Sequence, residues 1–135
     1  MRLYYFPLSS YSQKALIAFA EKEIGFTREL VDIRDPAARE GYRKLYWLGK
    51  IPMLVADDGE MIAESSIIIE YLDYHFSTGT RLIPSDPDGA RQTRFHDRNA
   101  DLYLNESITV LQKRDSSLRY SQTPMLSRKR SFEST

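Results

Sequence analysis

Apolar and polar positions change period along this chain so that short strands alternate with helices. Leu3 to Phe6 is an unbroken aromatic and apolar run that stops at Pro7, which fits a buried strand running into a loop. From Ser12 to Glu23 the apolar residues Leu16, Phe19 and Ala20 recur at helical spacing behind the N-cap candidates Ser9, Ser10 and Ser12, and this helix is expected to close near Gly25. Thr27 to Asp32 alternates weakly and is short, which predicts a second strand, parallel to the first through a right-handed crossover. The chain thus opens as a βαβ unit.

Pro36 to Leu48 is charged, with Tyr42, Leu45 and Tyr46 on a narrow stripe, and reads as a short surface helix. Met53 to Asp57 and Met61 to Ala63 are two short strands. The Asp58-Gly59 pair between them supplies the positive φ angles of a tight hairpin, making this half of the sheet antiparallel. Ser66 to Phe76 carries the clearest helical stripe, Ile68, Tyr71, Leu72, His75 and Phe76, and ends before Gly79. Turn formers crowd Leu82 to Gly89 as in a linker; Ala90 to about Leu111 is helix-compatible, and Asp115 to Thr135 is serine-rich, basic and aperiodic, so the last twenty residues are expected to be poorly ordered. The expected organisation is an α/β domain over 1–80 with a mixed four-stranded sheet, a linker over 81–89, and a partial all-helical segment with a tail over 90–135.

At 135 residues the chain can bury a core without covalent staples. It has no cysteine, which excludes disulfides, thiolate metal sites and a protein-based thiol couple, so any sulfur chemistry must come from a ligand. The opening Met1 to Pro7 has too short an apolar run for a signal peptide and no stretch approaches a membrane span, making the cytoplasm the default location with no membrane partner. The 19 basic and 19 acidic residues balance overall, yet residues 113–135 hold six basic against two acidic. Arg128-Lys129-Arg130 reads as a solvated tail, and no nucleic-acid partner is expected. His75 and His96 lack companions at metal-ligand spacing and read as core or surface residues, so no metal is expected.

Chemistry concentrates between Gly49 and Ser66. Pro52, preceded by Ile51, stands where a cis bond can reverse the chain and expose the backbone of the residue before it. Twelve residues on, Glu64-Ser65-Ser66 precedes Ile67-Ile68-Ile69 as a helix start whose free N–H groups and dipole favour an anion. One site could hold both the backbone and the carboxylate of a small peptide.

The element order, with a proline opening the third strand, resembles the thioredoxin-like domain of the glutathione transferases. Pro7-Leu8-Ser9-Ser10-Tyr11-Ser12-Gln13-Lys14-Ala15 is similar to the family's strand-loop-helix, in which a serine, tyrosine or cysteine activates glutathione. Gly49-Lys50-Ile51-Pro52 and Glu64-Ser65-Ser66 through Leu72 are similar to its two glutathione-binding segments. The resemblance covers roughly residues 2 to 112. It implies a thioredoxin-like fold and a detoxifying transferase with glutathione as co-substrate and a small electrophile as second substrate. It also implies a dimer, weakened in so short a chain.

On the matching positions, Ser9 is the implied thiol activator, a hydroxyl donor that keeps the thiol as the nucleophilic thiolate. Ser9, Ser10 and Ser12 read equally as ordinary N-caps, and Tyr11 as a wall of the site or a second donor, with Tyr5 filling core. The resemblance implies that Ile51, beside Pro52, offers its backbone to the cysteinyl part. Glu64 pairs with the γ-glutamyl ammonium, Ser65 meets the α-carboxylate, and Lys50 pairs with the glycyl carboxylate.

Two departures stand out. Tyr46-Trp47 replaces an Asn-Pro pair common in the family, and Trp47 is expected to supply packing in its stead. The helical domain that follows in the family is represented by material for roughly one helix, in Thr93 to Arg98 and Asp101 to Glu106. This suggests truncation or an altered reading frame, with apolar surface left uncovered and self-association expected. A non-catalytic glutathione-binding or protein-interaction domain is the alternative function.

Overall fold

A computed structural model of the protein describes residues 1–105, 107 and 110. The chain forms two units, Met1–Asp97 and Arg98–Thr135. In the first, β1 (Arg2–Tyr5), α1 (Ser10–Glu21), β2 (Thr27–Leu30), α2 (Pro36–Leu45), β3 (Met53–Val55), β4 (Met61–Ala63) and α3 (Ser65–His75) follow in order, and α4 (Pro87–Asn99) begins there. The strands lie β2-β1-β3-β4, with β1–β2 parallel and the other two pairs antiparallel. This is the mixed, thioredoxin-like sheet expected from the sequence. In the second unit, Ala100–Leu104 winds as a π-helix. The tail beyond residue 110 lies outside the described residues.

Alternation along the strands divides the core between the two faces of the sheet. Leu3 and Leu54, opposite each other, pack with Ile62 against Ala15, Ala18 and Phe19 of α1 and Ile68 and Leu72 of α3. Met53 and Val55 point the other way, with Val31, to meet Tyr42 of α2. Full burial of side chains such as Leu3, Leu54, Ile68 and Leu72 contributes roughly 1.5–3 kcal/mol each. Strand β2, mostly exposed, forms one edge and β4 the other.

Three local expectations are corrected. Helix α1 ends at Glu21, and the left-handed residue that stops it is Glu23 at φ 55° rather than Gly25. In the β3–β4 turn only Gly59 takes a positive φ, at 92°; Asp58 contributes by accepting the Glu60 N–H at 3.0 Å. Helix α4 starts three residues before Ala90, because Pro87 suits a first turn and the Asp86 carboxylate accepts the Gly89 N–H at 2.7 Å. The turn after α3 does need its glycine. Gly79 has φ 61°, and a Cβ there would meet the Glu21 carbonyl oxygen at 2.2 Å.

Candidate functional site

Tyr4, Met53 and Ala63 stand in register across β1, β3 and β4. Strand β1 runs out at this row, β3 starts at it and β4 ends at it. The connections Phe6 to Ser9, Gly49 to Pro52 and Glu64 to Ser65 therefore leave from one end of the sheet. Two strand spacings separate β1 from β4, about 10 Å, which is also about the reach of an extended tripeptide. The structure thus brings together the three segments that carry Ser9, Lys50, Ile51, Pro52, Glu64 and Ser65.

Ser9 is the N-cap of α1, accepting the Ser12 N–H on its Oγ at 3.2 Å. Accepting occupies a lone pair and leaves the O–H able to donate, so capping and donation to a ligand sulfur coexist in one side chain. The loop is fixed from behind. Buried Ser12 accepts the Phe6 N–H at 3.2 Å, and the Gln13 amide donates to the Pro7 carbonyl at 2.7 Å. No acidic residue stands in the first turn of α1 to offset its positive end. Tyr11 lies within that first turn rather than in the loop.

At the corner, the Ile51–Pro52 peptide is cis. The β1–β3 register begins at Met53, so the Ile51 backbone lies outside the ladder, and no described backbone bond elsewhere uses it. The Ile51 side chain packs beside Tyr42, Val31 and Met53, while Lys50 is exposed. Trp47, expected to pack, is 78% exposed, a correction. The loop is instead bonded by Tyr42, whose hydroxyl donates to the Lys50 carbonyl at 2.8 Å. Burial, then the neighbouring Tyr46 and Tyr4, pushes the Tyr42 phenol well above its usual range, so it remains a donor. From the sequence Tyr42 reads only as a stripe residue with Leu45 and Tyr46; the signal for more was a hydroxyl on the one tyrosine within that helix, eight residues before Lys50.

Glu64 occupies the N-cap position of α3 at φ 70° and ψ 125°, a conformation side chains rarely adopt, and its carboxylate makes no capping bond. The first amides of α3 thus have no side-chain cap from its N-cap residue. Ser65, the first residue of α3, is buried. The next residue turns away: the Ser66 hydroxyl donates to Asp97 at 2.5 Å and accepts from Lys14 Nζ at 3.0 Å.

A pocket of about 300 Å³ lies elsewhere, lined by Ile17, Ala18, Ile69, Leu82 and Ile83 and rimmed by the Lys14–Asp97 and Arg94–Glu70 ion pairs. It includes Ser66 but none of Ser9, Lys50, Ile51, Pro52, Glu64 or Ser65. His75 and His96 are exposed, and among the described residues no group of three His, Cys, Asp or Glu side chains could hold a metal ion. No helix among the described residues is long and apolar enough to cross a membrane.

The sheet order β2-β1-β3-β4 and the element order around it define a thioredoxin-like domain. The family model for the N-terminal domain of glutathione S-transferase matches residues 8–75, half of the chain, and the chain belongs to the glutathione S-transferase family. It is 37% identical over 83 residues to glutathione S-transferase hmp2 of Hypomyces subiculosus, an alignment spanning 61% of this chain and 39% of that protein. It is 34% identical over 109 residues to a probable maleylacetoacetate isomerase of Caenorhabditis elegans, spanning 81% and 48%. A glutathione S-transferase from Methylobacillus flagellatus solved with glutathione bound superposes with a TM-score of 0.65 at 35% identity, over 74% of this chain and 48% of that one. The β-etherase LigF of a Sphingobium species gives 0.71 at 30% identity, over 82% and 46%. The chain thus spans less than half the length of each of these proteins.

Proposed function

We propose that this chain binds glutathione along the row Tyr4–Met53–Ala63 and that the Ser9 hydroxyl, with the N-terminus of α1, holds the glutathione thiol as thiolate for attack on an electrophile. The observation that carries the reading is the register that sets the Ser9 loop, the Ile51-Pro52 corner and the Glu64-Ser65 helix start side by side over the length of a tripeptide. In this reading the cysteinyl part pairs with the Ile51 backbone against Pro52. The γ-glutamyl carboxylate meets Ser65 and the α3 amides, its ammonium meets Glu64, and Lys50 faces the glycyl carboxylate. Tyr11 walls the sulfur end.

The chemistry asked of Ser9 is modest and specific. A thiol with pKa ~8.5 is mostly protonated at neutral pH, and each unit of lowering corresponds to roughly 1.4 kcal/mol. A donated hydrogen bond and a helix N-terminus both favour the charged form. The thiolate then forms a bond from sulfur to the electrophilic carbon as the leaving group departs with the bonding pair. Family membership and the glutathione-bound relative support glutathione as the co-substrate. The reading includes a homodimer in the cytoplasm.

Calorimetric titration of the full chain with glutathione, with turnover of an activated aryl halide and the mass in solution measured alongside, tests the reading. Binding at millimolar glutathione or below, with turnover, is expected; no binding at millimolar glutathione overturns it.

A further inference from the structure

We propose that Tyr42 is a positioning residue of the glutathione site, its hydroxyl setting the backbone at Lys50-Ile51 that a peptide ligand must meet. This rests on the reading of the Ile51 backbone as the cysteinyl contact. The loop from α2 to β3 is tied at three points. The Tyr46 N–H donates to the Tyr42 carbonyl at 2.9 Å and the Gly49 N–H to the Tyr46 carbonyl at 2.8 Å; the Tyr42 hydroxyl then donates to the Lys50 carbonyl at 2.8 Å. One residue therefore anchors the loop at both its beginning and its end.

The anchor is stiff. The Tyr42 ring is buried among Val31, Met53 and Val55, with Tyr4 at 5.7 Å and Tyr46 at 6.4 Å between ring centroids. Its reach is fixed by two torsions, so the hydroxyl cannot follow a shifting loop. Gly49 makes the turn at φ 61°, where an added Cβ would meet the Arg43 side chain at 2.9 Å, so the loop needs glycine there. The neighbouring Lys50 side chain is exposed and cannot hold the segment by packing, and Trp47 is exposed as well. Without the Tyr42 hydroxyl, the Lys50 carbonyl loses its partner, and the direction of the Ile51 amide, in the same peptide plane, is left to the packing of the Ile51 side chain alone.

The deciding comparison is Tyr42→Phe against Thr78→Val. Thr78 donates the same kind of bond, hydroxyl to the Lys22 carbonyl at 2.7 Å, but beyond the far end of α3, about 16 Å along the helix axis from Ser65. Glutathione affinity is measured by calorimetry, and the order parameter of the Ile51 amide by NMR relaxation without ligand. Tyr42→Phe is expected to lower the order parameter of the Ile51 amide and weaken glutathione binding roughly three- to tenfold, the net worth of one hydrogen bond. Thr78→Val is expected to leave both unchanged. Equal weakening by the two variants, or unchanged affinity in Tyr42→Phe while the parent chain binds, overturns the positioning role and leaves the glutathione reading standing. Absence of binding by the parent chain overturns both.

Discussion

The Lys22 ammonium and the Asp73 carboxylate meet at 3.0 Å with side chains only 3% and 5% exposed, joining the end of α1 to α3. Asp73 also accepts the N–H groups of Leu82 and Ile83, each at 3.0 Å. One carboxylate thus fastens two helices and the segment that follows them. The prolines after Ile83 read in sequence as a free linker, yet its first residues are docked.

Burial pushes the Asp73 carboxyl upward, but the Leu82 and Ile83 amides and Lys22 outweigh it and hold the group below the ordinary carboxylate range. A value lowered on folding gives stability that is fully present above the unfolded pKa of about 3.9 and is lost as pH falls through the lowered value. Unfolding followed by circular dichroism should therefore show the midpoint temperature level above about pH 5 and declining below about pH 4. Asp73→Asn leaves Lys22 buried without its charge partner and should cost roughly 3–5 kcal/mol, removing most of that acid dependence.

Ser9 has two jobs, and substitutions can separate them. Ser9→Ala removes cap and donor together, at about 0.5–2 kcal/mol of stability, whereas Ser9→Gly costs only a few tenths because glycine serves as an N-cap. Both should abolish most turnover of an aryl halide and leave glutathione affinity nearly unchanged. If Ser9→Gly retains full turnover, the hydroxyl is a cap and nothing more.

Glu64 holds a left-handed backbone at φ 70° next to the proposed γ-glutamyl subsite. Such a conformation costs of order 1–3 kcal/mol in a residue with a Cβ. Glu64→Gly should raise the midpoint of urea unfolding while weakening glutathione binding, and Glu64→Gln should weaken binding without the gain in stability. A glycine variant that is no more stable than the parent removes the strain argument.

The fold was legible where period and punctuation agree: the apolar run ending at Pro7, the stripe Ile68 to Leu72, and Asp58-Gly59 between two short strands all lie where the structure has them. Helix ends were less legible, because Glu23 takes a left-handed φ that sequence assigns to Gly25. Trp47 failed for another reason. A large aromatic residue implies burial by default, but only tertiary contacts reveal that Tyr42 already fills the space under the loop. The row that joins the three site segments is likewise a long-range fact, since register between β1 and β4 is set through β3 and leaves no local mark.

Lys50 is exposed beside the Ile51-Pro52 corner, and its proposed partner is a carboxylate at the open end of the ligand. A pair of that kind in water is worth about 0.2–1 kcal/mol, so Lys50→Met should weaken glutathione binding at most about fivefold. Screening supplies the discriminating measurement. At 1 M salt the Debye length falls to about 3 Å, and the gap between Lys50→Met and the parent should close. The effect of Tyr42→Phe, carried by a buried hydrogen bond, should persist at the same salt. A Lys50→Met deficit that survives 1 M salt assigns the residue a role in loop shape instead of charge.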